Sequence, residues 1–68
     1  MNGAIERLLR DSRTGFIAGN DGQDYFFHEH ALRDVTFDKL RERDIVTFDI
    51  VHGPRPRAEV VRLIRHNN

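Results

Sequence analysis

Apolar and polar residues alternate in five short stretches of this chain, as they do in β-strands that turn one face toward a core. The clearest stretch covers residues 45–51, where Val46, Phe48 and Ile50 are separated by polar residues. We predict five strands, at residues 4–10, 14–19, 24–28, 45–51 and 57–64. The hydrophobic pattern therefore predicts an all-β chain.

The second and third predicted strands form a β-hairpin. Between them lie Asp21 and Gly22, two residue types that tolerate the left-handed backbone conformation of tight turns. The arms of the hairpin are rich in aromatic and β-branched residues, which favour strands. We expect the rest of the chain to be organised around this hairpin.

Strand alternation gives the hairpin two different faces. If Ile17 and Phe27 point into a core, then Phe16, Phe26 and His28 share the opposite face. Two phenylalanines and a histidine are unusual on a solvated face, and we interpret them as a surface on which a flat ligand stacks. The alternatives are that the following loop covers the two rings, and that His28 is a structural hydrogen-bonding residue.

The first predicted strand breaks the alternation. Regular spacing from Ile5 would turn Arg7 inward and Leu8 outward. A one-residue bulge near Glu6 would let both aliphatic side chains face the core and would leave the arginine free. We therefore predict a β-bulge at this point of the strand.

Two connections complete the secondary structure. After the hairpin, residues 29–34 predict a single helical turn, and residues 35–44 predict an ordered connection that Phe37 and Leu40 anchor in the core. A helix over residues 37–43 is the alternative, although its apolar positions are sparse. A loop fixed by one glycine and two prolines precedes the last strand.

Five short strands in 68 residues are too few for a sandwich of two sheets with a sizeable core. A closed or partly closed five-stranded barrel uses them economically and hides the sheet edges, so we predict one barrel domain over residues 1–68. The predicted inward-facing side chains are Ile5, Leu8, Ile17, Tyr25, Phe27, Val46, Phe48, Ile50, Val61 and Ile64.

Composition restricts the function classes. The chain has no cysteine, no apolar run that could span a membrane and no secretory signal, so we expect a soluble cytoplasmic protein. Its formal net charge is zero, which argues against binding nucleic acid by bulk charge alone. Ten of its eleven basic residues are arginine, the better cation for stacking and for phosphate, although genome base composition explains this bias equally well.

The sequence contains no recognisable catalytic constellation, and we expect a protein that is not an enzyme. Its glycines in the hairpin do not form a phosphate-binding loop, and Ser12 has no positioned base. In a strand, His28 and His30 would face the same way, but no third and fourth metal ligands accompany them. We expect no cofactor, no metal and no small-molecule substrate, since a barrel of this size leaves no interior pocket.

Four segments match known motifs in order and spacing. Residues 12–17 align with Lys-Gly-Phe-Gly-Phe-Ile, and residues 25–29 align with Val-Phe-Val-His-Phe. Residues 40–48 follow Leu-Xaa-Glu-Gly-Xaa-Xaa-Val-Xaa-Phe, and residues 56–61 resemble Pro-Xaa-Ala-Xaa-Asn-Val. These are motifs of the bacterial cold-shock domain family, and the resemblance covers nearly the whole chain. It implies a small five-stranded antiparallel oligonucleotide-binding barrel, the OB-fold.

The resemblance implies a protein that binds single-stranded RNA or DNA with low sequence preference, and acts as an RNA chaperone or a regulator of transcription or translation. Bases would lie on the outer face of the hairpin, and nearby arginines would stack on bases or contact phosphate. For Arg55 and Arg57, beside the last loop, plain solvation is the alternative. The candidate nucleic-acid-binding residues are Arg7, Arg10, Arg13, Phe16, Phe26, His28, Arg55 and Arg57.

The chain also departs from the family motifs. Family members usually carry tryptophan at the position of Arg7 and phenylalanine at the positions of Thr14 and Glu29. The lysine and first glycine of the first motif are replaced by Ser12 and Arg13. Three stacking rings are thus missing. This loss leaves open an alternative from another class, a barrel whose altered face binds a protein or a second copy of itself as a homodimer.

Overall fold

The structure is a computed structural model that describes residues 1–67. Within these residues the chain forms six β-strands and two short 3₁₀ helices. The strands are β1 (Asn2–Leu9), β2 (Thr14–Gly19), β3 (Asp24–His28), β4 (Leu32–Arg33), β5 (Ile45–Val51) and β6 (Arg57–Arg65). The 3₁₀ helices cover Glu29–Ala31 and Phe37–Lys39. The predicted helical turn after the hairpin is confirmed, and the alternative of a longer helix after Phe37 is wrong, because the backbone is extended again at Leu40.

The strands close into a barrel. Their order is β3-β2-β1-β5-β6-β4, and an additional pairing between β3 and β6 joins the two sides of the sheet. The five long strands form the predicted five-stranded OB-fold barrel, and the all-β fold class is confirmed. The two-residue strand β4, which runs parallel to β6, was not predicted. A strand of two residues that directly follows the 3₁₀ turn is too short to show an alternating pattern.

The predicted bulge is present in β1. Ile5 pairs with Ile17, the next pair joins Arg7 to Phe16, and Glu6 has no partner across the β1–β2 ladder. Ile5 is buried and Leu8 packs against the core, whereas Glu6 and Arg7 are both exposed. The bulge therefore turns two consecutive side chains outward while the aliphatic residues on either side face inward.

Most of the predicted core is confirmed. Seven of its ten members are buried, and Leu8 and Ile50 pack against them. The assignment of Ile64 is wrong, since this side chain is 55% exposed. Val61 is buried and Leu63 packs on the core, so alternation along β6 turns Ile64 to solvent. The buried apolar residues are Ile5, Ile17, Tyr25, Phe27, Ala31, Phe37, Leu40, Val46, Phe48, Ala58 and Val61.

Phe37 and Leu40 anchor the long connection in the core, as predicted. The ring of Phe37 lies 6.5 Å from the ring of Phe27, measured between centroids. This packing compensates for the sparse apolar positions of the connection, because each anchor is almost fully removed from water.

Three residues occupy the left-handed backbone region where the family motifs have residues that tolerate it. The φ angle is 58° at Arg13, 78° at Arg43 and 52° at Val60, whereas the motifs have glycine, glycine and asparagine at these positions. Side chains with a Cβ atom are strained in this region, and a β-branched residue such as Val60 most of all. The fold thus keeps its turns and its β6 irregularity at the expense of local strain.

We predict that Arg43→Gly stabilises the protein by about 0.5–1 kcal/mol. The change removes a left-handed strain of about 1–2 kcal/mol, less the larger backbone entropy that glycine loses on folding. Urea unfolding gives the difference in free energy. Arg43→Ala is the matched control, because it removes the same exposed side chain but keeps the Cβ atom. Equal stability of the two variants would show that φ at this position is not a source of strain.

The tip of the β2–β3 hairpin is tied to the core through Tyr25. Its ring is buried, 5.2 Å from that of Phe48, and its hydroxyl donates a hydrogen bond to the carboxylate of Asp21. That carboxylate also accepts the backbone N–H of Gln23 at 3.0 Å. The hydrogen bond from Tyr25, and after it the one from Gln23, lowers the pKa of Asp21, because both favour the charged form of the carboxylate.

We predict that Tyr25→Phe destabilises the protein in a pH-dependent way. A lowered carboxylate pKa contributes stability above the ordinary pKa, and this contribution is lost as the pH falls through the lowered one. The stability difference between wild type and variant should therefore be largest near neutral pH and shrink in acid. Unfolding by urea at a series of pH values measures it. A difference that stays constant across the series would contradict an ionised acceptor at Asp21.

Candidate nucleic-acid interface

Four side chains form a row across the outer face of the barrel. Arg7 on β1 pairs with Phe16 on β2, Phe16 pairs with Phe26 on β3, and Phe26 pairs with Arg57 on β6. Residues that pair directly across strands project to the same side of a sheet. The row therefore places two aromatic rings at its centre and a guanidinium group at each end.

The two rings of this row are partly exposed, and the neighbouring aromatic residues are not. Phe16 and Phe26 meet edge to face, with centroids 5.7 Å apart and planes at 67°. Tyr25 and Phe27, adjacent to Phe26 in β3, are buried in the core. The alternation predicted for the hairpin is thus confirmed, and it leaves aromatic surface to which flat groups can stack.

His28 lies two residues beyond Phe26 in β3, so the two side chains share the outer face. Its register partner on β2 is Thr14. The Nδ1 atom of His28 accepts the backbone N–H of His30 at 3.1 Å, which caps the first 3₁₀ helix, and the two imidazole rings are 4.4 Å apart. The predicted binding residue therefore also has the structural role that was its alternative.

Arg13 is held by two carboxylates. Its Nε atom donates to Glu29 at 2.7 Å, and another guanidinium nitrogen donates to Asp38 at 2.7 Å. The hydrogen bond with Asp38, and after it the one with Glu29, raises the pKa of Arg13. Its guanidinium also lies 5.0 Å from the centroid of Phe37, as a cation over the ring. Its charge is thus largely neutralised by neighbours.

Arg10 and Arg55 lie outside the four-residue row. The guanidinium of Arg10 donates to the backbone carbonyl of Leu40 at 3.4 Å and lies 5.8 Å from the centroid of Phe37. Arg55 is exposed in the loop between β5 and β6. The next residue of that loop, Pro56, accepts the backbone N–H of Phe26 through its carbonyl oxygen, at 3.4 Å. This contact brings the loop against the edge of the row.

An open hollow of about 510 Å³ adjoins the row at Arg7 and Phe16. Its other walls are the carboxylates of Glu6, Asp24 and Glu42. Hydrogen bonding between the Glu6 and Asp24 carboxyls, followed by their charge repulsion, raises the pKa of Glu6. None of these three acids is among the binding residues predicted from the sequence. Two of them could have been found from the sequence. The predicted bulge turns Glu6 to the outer face, and strand alternation in the hairpin places Asp24 on the same face as Phe26.

The described residues hold no group that suggests a metal site. Over residues 1–67, no three histidine, aspartate or glutamate side chains come together in a way that could hold a metal ion. The same part of the chain has no helix long and apolar enough to cross a membrane.

Comparison with known proteins agrees with the barrel fold. The chain matches the 'cold-shock' DNA-binding domain family over residues 1–64. It is 39% identical over 62 residues to cold shock protein 2 of Lactiplantibacillus plantarum, which is 90% of this chain and 94% of that protein. It is 37% identical over 65 residues to the cold shock-like protein CspC of Bacillus cereus, which is 93% of this chain and 100% of that protein. The protein thus belongs to the cold-shock domain family.

Proposed function

We propose that this protein binds single-stranded RNA or DNA across the outer face of β1, β2, β3 and the start of β6. The observation that carries the proposal is the row Arg7–Phe16–Phe26–Arg57, in which two partly exposed rings lie between two arginines. Successive bases stack on the rings, and the arginines pair with the phosphates on either side. His28 extends the face by one more ring.

The cellular role that follows from this activity is to hold strands unpaired. A protein that occupies single strands prevents them from forming secondary structure, which makes it an RNA chaperone or a regulator of transcription or translation. Stacking on aromatic rings is sequence-tolerant, since every base has a π-face. This role requires no catalytic step.

We expect a moderate affinity with a shallow dependence on salt. Arg13 is already paired with carboxylates, and acidic side chains surround Arg7, so only about 2–4 phosphate contacts are expected. Fluorescence anisotropy with a labelled single-stranded, pyrimidine-rich oligonucleotide at several salt concentrations tests the proposal. A folded protein that binds neither RNA nor DNA would refute it and would favour the alternative of a barrel whose altered face binds protein.

We predict that Phe16→Ala and Phe26→Ala each weaken oligonucleotide binding by about 1–3 kcal/mol, the usual contribution of one stacked base. Both rings lie on the outer face, so each loss should change the free energy of unfolding much less than a core substitution does. Phe27→Ala is the contrasting variant, and we expect it to destabilise the fold by about 3–5 kcal/mol. Anisotropy and urea unfolding give the two quantities. If either outer-face variant fails to fold, that ring belongs to the core and the assignment of the two faces is wrong.

We predict that Glu29→Gln tightens oligonucleotide binding by up to about fivefold, corresponding to the 0.2–1 kcal/mol typical of an exposed ion pair. The change removes one negative charge and releases Arg13 from one of its two partners. Asp34→Asn is the matched control, because it breaks the exposed ion pair with Arg62 elsewhere on the barrel. Equal gains for the two variants would show that net charge alone, and not the release of Arg13, is responsible.

A further inference from the structure

The hollow beside the four-residue row combines three kinds of chemistry. The bulge in β1 turns Glu6 and Arg7 outward side by side, so a carboxylate and a guanidinium enter the hollow from consecutive residues. Phe16 contributes an aromatic wall, and Asp24 contributes a second carboxylate. Its volume of about 510 Å³ lies within the usual range for small-molecule sites.

We propose that this hollow is a base-reading subsite that selects guanine within an otherwise sequence-tolerant interface. The proposal rests on the proposed function, since the base must be delivered by a bound single strand. It adds a preference at one position, which stacking on Phe16 and Phe26 alone would not produce.

The donors and acceptors of guanine match the walls of the hollow. On its Watson–Crick edge guanine presents two neighbouring donors, the N1–H and the 2-amino group, which a carboxylate of Glu6 or Asp24 accepts together. On its other edge it presents the acceptors O6 and N7, to which an arginine such as Arg7 donates in bidentate fashion. The ring itself stacks on Phe16. The Glu6–Asp24 side of the hollow, Arg7 and Phe16 then each have a complementary partner on one base.

The other bases fit less well. Uracil and thymine have one N–H between two carbonyl oxygens, and these oxygens would face the carboxylates of Glu6 and Asp24. Cytosine and adenine each offer one amino group beside a ring nitrogen that accepts, so a carboxylate gains one hydrogen bond instead of two. Adenine also presents its amino group where Arg7 needs an acceptor. Guanine alone supplies adjacent donors on one edge and adjacent acceptors on the other.

Mutual repulsion of the two carboxylates adds to the argument. Hydrogen bonding with Asp24, and then charge repulsion between the two carboxyls, raises the pKa of Glu6, so its charged form is disfavoured there. A ligand that donates hydrogen bonds to these carboxylates offsets this repulsion. A phosphate group would increase it. The acidic side of the hollow therefore favours a base edge over a phosphate group.

The test compares short single-stranded oligouridines that contain one central guanine, one central inosine, one central 7-deazaguanine or uridine throughout. We expect the guanine oligonucleotide to bind about 5- to 150-fold more tightly than oligouridine, the range for bidentate base contacts. Inosine lacks the 2-amino donor and 7-deazaguanine lacks the N7 acceptor, so each should lose part of this preference. Equal affinity for guanine and uridine oligonucleotides would overturn the subsite.

Variants of the acidic walls separate base reading from simple repulsion. The double variant Glu6→Gln with Asp24→Asn should reduce the guanine-to-uridine affinity ratio to near one. The matched control is Glu59→Gln with Asp49→Asn, which neutralises two acids paired across β5 and β6, outside the hollow. This control should keep the ratio of the wild type. A double variant that keeps the full ratio, with both oligonucleotides bound more tightly, would overturn the subsite.

The failure of this proposal is distinct from the failure of the proposed function. Binding of every oligonucleotide with no preference for guanine overturns the subsite and leaves single-strand binding in place. No binding of any oligonucleotide by the folded protein overturns both. Thermal unfolding of each variant confirms that it is folded, which we expect because Glu6 and Asp24 are exposed.

Discussion

The irregular backbone at Ile5 and Glu6 is the constraint on which the rest of the structure depends. Ile5 pairs with Ile17 of β2 just before the bulge. Its N–H donates to the carbonyl of Asp44 at 2.8 Å, and its carbonyl accepts the N–H of Arg43 at 2.7 Å. These bonds lock the turn before β5 onto β1. The same bulge keeps Ile5 and Leu8 inside the barrel and turns Glu6 and Arg7 outward, so one irregularity shapes both the core and the outer face.

On the outer face, charged residues occupy positions at which the family motifs have aromatic rings. At the motif position of a phenylalanine, Glu29 forms an ion pair with Arg13, and this arginine lies over the buried ring of Phe37. Arg7, at the motif position of a tryptophan, borders the hollow. The platform of Phe16 and Phe26 is retained, but its surroundings are now polar. This face therefore offers fewer stacking surfaces, and more hydrogen-bonding and charged groups, than the family motifs imply.

The retained left-handed conformations at Arg13, Arg43 and Val60 show that the barrel, and not the local residue, determines the backbone there. Closure of five strands fixes where each turn and irregularity must fall. A residue with a Cβ atom then accepts a strained conformation, because moving the turn would break cross-strand pairing and core packing. At these positions the fold holds residues that disfavour the local backbone conformation, at some loss of stability.

The sequence by itself determined the strands of the hairpin, the bulge in β1, the barrel and the aromatic face of Phe16 and Phe26. Each of these follows from local alternation or from motif spacing, which a linear pattern contains. Only the tertiary structure decided that Arg13 is paired with Glu29 and Asp38, and that acids from three parts of the chain surround Arg7. The physical reason is that ion pairs and hollows depend on distances between segments remote in sequence. Such distances exist only once the barrel has closed.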